Sequence, residues 1–283
     1  MPNFFTPVEL TDKDYSIISD YIQKNVGIRM PEGKKVMMQS RLASRLRALG
    51  MHSYEEYLNF VFNKDTSGQE LIFMTNALTT NKTDFFREAD HFETMANIVL
   101  PDLTEKGHRT IHLWSSASSS GEEPYTLAIV MSEYMRTHSK SFSDFSILGS
   151  DISTEVLDKA VNAVYTEADV SGIPLEMKRR YFLRNKDKEQ HTVRIKPELR
   201  AKCSFQRLNL MDSSWEIPAK FEIIFCRNVL IYFDKPTQEK IIKHLLYHLI
   251  PGGYLFLGHS ETVFSMDLPL KTVGPTAYRK EIC

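Results

Sequence analysis

Four short segments of the sequence set polar side chains where an α/β protein does its chemistry, just beyond apolar runs of strand length. The first, SSASSSGEEPY (residues 115–125), follows the apolar run Ile111–Trp114. Its small residues let the backbone turn tightly and a ligand come close. Glu122 and Glu123 would then open a helix, where carboxylates suit the helix dipole, repel a pyrophosphate and welcome a cation or sugar hydroxyls. A serine-rich turn with a glutamate pair at a helix start is the plain structural alternative. The second segment, Gly149-Ser150-Asp151, ends a run with an acid of the kind that accepts hydrogen bonds from ribose hydroxyls; a helix cap is the alternative. The third, Asn209-Leu210, offers an amide and an apolar face, adequate for an adenine or for ordinary strand-end structure. The fourth, CRNVLIYF (226–233), sets Arg227 and Asn228 inside an apolar run, and Tyr232 near the same sheet edge. Burying such groups without partners would cost about 2–7 kcal/mol each, so the protein or a ligand must satisfy them.

Other chemistries find little support. There is no GxGxxG and no GxxxxGK[ST], so dinucleotide and P-loop phosphate binding lack their glycine turns. His244 and His248 share a helix face but lack the glutamate and third ligand of a zinc site, so no metal is expected. GHSE (258–261) lacks the GxSxG elbow of a hydrolase and reads as a structural turn. Three scattered cysteines, Cys203, Cys226 and Cys283, make neither a disulfide framework nor a zinc site. With 35 basic and 36 acidic residues, the net charge is −1, which argues against a bulk electrostatic grip on nucleic acid.

The elements that would position these residues fall into two textures. Thr11 and Asp14 form a capping box ahead of Ile17, Ile18, Tyr21, Ile22 and Val26, and Gly27 closes that helix. Helices follow over 34–49, ending at Gly50, then from Ser53 through Phe62, and over 69–78. Residues 1–78 thus read as a small all-α domain. From about Arg109, strands alternate with helices: strands at 111–114, 146–151, 203–210, 221–233 and 254–258, with helices from Glu122, from Ser153 and over 236–250. That alternation implies a parallel sheet covered on both faces. Arg184–Arg200, with its polar turn NKDKEQH, suits an antiparallel hairpin inserted at about 170–202. The N-terminus MPNFFTPVELTDKD lacks a signal-peptide pattern, and no run approaches the roughly 18–20 apolar residues of a membrane span. A cytoplasmic protein that is not membrane-inserted is expected.

Together these segments resemble the CheR family of bacterial chemotaxis receptor glutamate methyltransferases. The resemblance rests on LTTNKTDFFRE (78–88), SSGEEPYTLA (119–128), GSDIS (149–153), LNL (208–210), IIFCRNVLIYFDKPTQ (223–238) and PGGYLFLGHSE (251–261), in family order, with RLASRLRALG (41–50) in the helical part. The serine-rich SSASSSG departs from relatives that often carry Ala or Thr there. The resemblance implies an α/β fold: a Rossmann-like S-adenosylmethionine-dependent methyltransferase sheet over 79–283, a small N-terminal all-α domain for receptor docking, and an inserted antiparallel β subdomain.

By the same resemblance, Asn81, Thr83, Arg87, Glu123, Asp151, Asn209, Leu210, Arg227 and Asn228 contact S-adenosylmethionine, and Arg87 and Tyr232 flank the transferring methyl. Read locally, Asn81, Thr83 and Arg87 could equally cap and pair at a helix start. The implied reaction makes glutamate methyl esters on receptors and S-adenosylhomocysteine. Lys34, Arg41 and Arg45 lie on one helical stripe, either a solvated face or a docking surface for the acidic, helical cytoplasmic region of a receptor. The β subdomain could add a strand from a receptor C-terminal peptide, although NKDKEQH lacks the glycines that peptide-dependent relatives tend to carry. The alternatives are a methyltransferase with another protein or nucleic-acid substrate, although the [DNS]PP[YF] of base-methylating enzymes is replaced by CRNV, and a non-catalytic S-adenosylmethionine-binding scaffold.

Overall fold

The computed structural model describes residues 9–139, 141–217, 220–264 and 266–282, with Lys188 described by its backbone alone. The first eight residues and Cys283, read above for a signal sequence and for thiol pairing, lie outside the described residues. By contacts the chain divides into two units. One comprises the residues up to Thr80 with Asn209–Met211 and Tyr232–Asp234, and the other comprises the remainder.

The first unit is helical. Helix α1 (Asp12–Val26) starts where the Thr11 hydroxyl accepts the Asp14 N–H at 3.1 Å, and buries Tyr15, Ile18, Ile22 and Val26. It ends on Gly27 at φ 79°, where a Cβ would lie 2.3 Å from the Phe233 ring, so both conformation and space demand glycine. Helix α2 (Lys35–Leu49) buries Met38, Leu42 and Leu46. Ser53 caps α3 (Tyr54–Asn59), which widens into a π turn over Phe60–Lys64, so the third helical run is as long as expected but less regular. In α4 (Gln69–Leu78), buried Glu70 takes both nitrogens of an Arg45 fork, at 2.8 and 2.6 Å, and the Tyr57 hydroxyl at 3.0 Å. That charge-assisted fork ties α2 to α4.

The second unit opens with a helical run the sequence reading did not anticipate: α5 (Ala89–Thr94), a π turn and α6 (Leu100–Glu105). Then come β1 (Thr110–Ser115), α7 (Glu122–Thr137), β2 (Asp144–Asp151), α8 (Thr154–Asn162) and β3 (Val164–Thr166). Next are α9 (Leu175–Tyr181), β4 (Phe182–Arg184), β5 (Thr192–Ile195), α10 (Pro197–Arg200) and β6 (Cys203–Arg207). The chain closes with β7 (Phe221–Cys226), α11 (Lys235–His248), β8 (Leu249–Leu257), β9 (Leu270–Gly274) and β10 (Ala277–Lys280). Seven strands form one sheet in the order β6-β2-β1-β7-β8-β10-β9. The five from β6 to β8 run parallel, and β10 and β9 complete an antiparallel edge. Strand β7 is buried along its whole length, as a central parallel strand must be, and Phe225 stacks between Phe92 and Phe256.

Three expectations change. The hairpin is two-thirds of a three-stranded antiparallel sheet, β3-β5-β4, because β3 joins it from the end of α8. The run 221–233 is not one strand: it leaves the sheet after Cys226, Asn228 turns left-handed at φ 57°, and Leu230–Tyr232 coil into a 3-10 turn. The third strand-end pair also shifts, since β6 stops at Arg207 and Asn209 lies beyond it. His244 and His248 pack against Trp215, and His248 is buried, so that pair belongs to an aromatic cluster.

Candidate cofactor and methyl-transfer site

In a parallel sheet the crevice for a ligand opens where the chain reverses its direction of winding. Here β1 has β2 on one side and β7 on the other, so the switch point lies between the C-terminal ends of β1 and β7. Ser115 ends β1 beside Phe225, and the Ser116 N–H donates to the Phe225 carbonyl at 2.8 Å. From this point the two turns carrying SSASSSGEE and CRN leave the sheet together.

Arg227 is the hub of what they build. Its side chain is 2% exposed, and one guanidinium nitrogen donates to Glu123 at 2.9 Å. The other donates to Glu88 at 2.9 Å and also to the Arg87 carbonyl. Glu123 also accepts the Ser115 hydroxyl at 2.7 Å, while Glu88 accepts the Asn228 amide at 2.9 Å. A buried guanidinium thus sits between two carboxylates, each carrying a further donor, which is what burying such charges requires. The sequence left open whether Arg227 is satisfied by protein or ligand; two of its nitrogens are satisfied by protein, with Nε buried and unpartnered. Burial alone would raise the Glu88 carboxyl, but its bonds from Asn228 and Arg227 hold it below its ordinary range.

The β2 end is built differently. Asp151 accepts the backbone N–H of Ser119 at 2.9 Å on one oxygen and of Ser153 at 3.0 Å on the other. Desolvation pushes this carboxyl upward, against the pull of those amides. The Ile152 amide bears on it as well, so three backbone N–H groups serve a carboxylate with about four acceptor sites. Ser119 adopts φ 46°, and its hydroxyl donates to the Asn81 carbonyl at 2.8 Å, which brings the start of the FFRE segment to the serine turn. Thr83 is half-buried on that segment. Arg87 is half-buried too; one guanidinium nitrogen donates to the Lys82 carbonyl at 2.9 Å, and the remaining N–H groups make no bond among the described residues. Asn209, Leu210 and Tyr232 belong to the helical unit, where the Asn209 amide donates to the Asn25 carbonyl at 2.7 Å, Leu210 is buried and Tyr232 is half-buried. Of the proposed docking stripe, Arg41 donates to the Thr79 carbonyl at 2.8 Å and Arg45 is taken by Glu70; among the described residues Lys34 reaches only the Arg29 carbonyl, at 3.4 Å.

Residues 81–279 match the CheR methyltransferase SAM-binding domain, and residues 13–79 match the CheR methyltransferase all-alpha domain. The chain belongs to the CheR methyltransferase family. It is 40% identical over 270 residues to a chemotaxis protein methyltransferase of Klebsiella aerogenes, covering 95% of this chain and 90% of that one. It is 36% identical to those of Borreliella burgdorferi, over 96% of both chains, and of Escherichia coli, over 95% of this chain and 91% of that one. Its cofactor is therefore S-adenosylmethionine, and its chemistry is methyl transfer.

The residues present fit that group. The Ser118 and Ser153 hydroxyls are buried without a partner among the described residues, beside the Asp151 carboxylate. Asn228, with its amide nitrogen turned to Glu88, leaves its carbonyl oxygen to accept from a ligand. Orphaned donors and spare acceptors of this kind suit a nucleoside bearing hydroxyls and an amino acid.

Sequence reasoning missed Glu88, although it stands in FFRE, because its partners lie 139 and 140 residues away. It also missed that Glu88, His91 and His259 converge, their ligand-type atoms lying within 4.8 Å of one another. Both Glu88 oxygens already accept bonds from Arg227 and Asn228. His91 is buried and held neutral, its pKa pushed down to about 4 by desolvation and by nearby Arg227.

Proposed function

We propose that this protein methylates glutamate side chains of chemotaxis receptors, giving glutamate methyl esters and S-adenosylhomocysteine, as the adaptation step of a sensory pathway. The observation that carries the reading is similarity through both domains, over 95% of the chain, to chemotaxis protein methyltransferases. S-adenosylmethionine supplies an activated methyl group on a sulfonium. A glutamate acceptor, with an ordinary pKa of about 4.3, is already ionised at neutral pH, so no general base is needed. What the chain must do is align and desolvate two groups whose charges cancel as they react.

Arg87 suits the first task, since its unused N–H groups can orient a carboxylate by charge-assisted hydrogen bonds. Too tight a grip would weaken the nucleophile, so the role is positioning, and the same role is proposed for the Tyr232 hydroxyl. Asp151 and Glu123 are proposed to serve the ribose and the amino-acid part of the cofactor, with Asn81, Thr83, Arg227 and Asn228 completing the contacts on the same unit. Asn209 and Leu210 are proposed as cofactor contacts from the resemblance. Docking to an acidic receptor helix falls mainly to Lys34, because Arg41 and Arg45 are engaged within the helical unit. The small sheet offers β3 and β4 as edges, a place where a receptor C-terminal peptide would add a strand. No helix among the described residues is long and apolar enough to cross a membrane, and the proposed place of work is the cytoplasmic face of receptor arrays.

The test is methyl-labelled S-adenosylmethionine with purified protein and receptor membranes. Label in a receptor band that mild alkali releases as methanol is the expected result. Alkali-stable label would indicate N-methylation and another substrate, and cofactor binding without label on any receptor would favour a binding-only scaffold.

A further inference from the structure

The GHSE segment after β8 reads from sequence as a turn with no part in chemistry, yet its glutamate grips the site. Glu261 is 5% exposed, and its four partners are backbone amides. One carboxylate oxygen accepts the N–H of Leu230 at 2.7 Å and of Ile231 at 3.3 Å. The other accepts those of Asn228 at 3.0 Å and Gly258 at 2.7 Å. Three of the four come from the turn that follows β7. A buried carboxylate that has no cation partner among the described residues and collects converging amides fixes the backbone that folds around it.

That turn needs fixing. Asn228 sits in the left-handed region at φ 57°, a conformation asparagine adopts more readily than other non-glycine residues but one that its neighbours must still hold. Its side-chain nitrogen donates to Glu88, so its side-chain oxygen is turned away from that carboxylate and makes no bond among the described residues. The GHSE turn lies close against it: a Cβ on Gly258 would stand 2.7 Å from the Asn228 amide nitrogen, 2.8 Å from its backbone nitrogen and 2.9 Å from Glu261. Glycine at 258 and glutamate at 261 therefore serve one purpose, the conformation of Asn228.

We propose that Glu261 is a positioning residue of the methyl-transfer site, whose carboxylate holds the post-β7 turn so that the Asn228 side-chain carbonyl is presented to an N–H of the cofactor. The assignment rests on the methyltransferase reading and deepens it. Glutamine at 261 keeps the shape but turns an NH2 group toward two backbone donors, so half the grip becomes repulsive.

The experiment compares wild type, Glu261→Gln, Asn228→Ala and the double variant, measuring S-adenosylhomocysteine binding by calorimetry at low temperature and thermal unfolding alongside. Glu261→Gln should unfold cooperatively and bind about tenfold more weakly. Asn228→Ala should lose a similar factor, and the double variant little more than either, since both remove one interaction. A merely structural glutamate would lower the melting temperature and leave the affinity of the folded protein untouched. Full affinity in folded Glu261→Gln, or additive losses in the double variant, would overturn the assignment. Should Glu261→Gln not fold, Gly258→Ala reads the same turn: a comparable loss supports the proposal and full affinity overturns it. A wild-type chain that binds no S-adenosylhomocysteine would show a different failure, that of the methyltransferase reading itself.

Discussion

Glu122 and Glu123 are neighbours in the chain, both in the first turn of α7, and their surroundings are opposite. Glu123 meets Ser115 and the Arg227 guanidinium. Glu122 is buried, accepts the Ser120 hydroxyl, and lies near Asp84 and Asp169; desolvation pushes its pKa up to about 7. The helix dipole favours a negative charge equally at both positions, so the dipole does not make them differ. Tertiary structure makes the difference: it sets a cation against Glu123, and it buries Glu122 beside a hydroxyl with two acids nearby.

The largest test of that contrast is Arg227→Leu. It leaves Glu123 and Glu88 buried without their cation and should cost about 3–5 kcal/mol, read as a lower urea midpoint together with loss of S-adenosylhomocysteine binding. Glu123→Gln removes one charge and keeps the shape, and the unfolding free energy should fall by about 1.5–3 kcal/mol because Arg227 loses an ionic hydrogen bond. No change there would mean that Glu88 alone holds Arg227.

Glu122→Gln should behave in the opposite way and depend on pH. In the folded chain Glu122 holds its proton to about pH 7, against an ordinary 4.5. Its contribution is therefore fully present below pH 4.5 and is lost as pH rises toward 7. Relative to wild type, the glutamine variant should gain stability between pH 5 and 8, by up to about 3 kcal/mol. His91 works in the reverse sense, since its pKa falls to about 4 from 6.5 and its contribution is lost as pH drops through that window. The comparison between variant and wild type isolates Glu122 because His91 is common to both. A difference that stays flat from pH 5 to 8 would refute the unpaired state of Glu122. The smallest effect belongs to Ser120→Ala, which should cost about 0.5–1.5 kcal/mol above pH 7 and less below it, since the hydroxyl donates best to the ionised carboxylate.

The legible parts of this molecule were those written in local pattern. The period of Ile18, Ile22 and Val26 with the Gly27 stop gave α1 nearly to the residue, and the alternation from Arg109 onward gave the parallel sheet. Asp151 and Arg227 were legible as candidate site residues because a polar group at a strand end is conspicuous. The third strand of the small sheet was not, because Val164–Thr166 is too short to show a period, nor were β9 and β10 at the antiparallel edge. The stripe of Lys34, Arg41 and Arg45 was legible as a pattern, but the pairing of Arg45 with Glu70, 25 residues further on, was not.

Sequence by itself determined the family, the cofactor class, the helical and sheet units, and the places where chemistry could occur, because helix stops, strand periods and motif order are properties of neighbouring residues. Only the tertiary structure decided how the charges are used. Glu88, Arg227 and Glu261 acquire their roles from partners up to 140 positions away. The surroundings of a carboxylate are whatever the fold carries to it, and for adjacent Glu122 and Glu123 the fold carries opposite things.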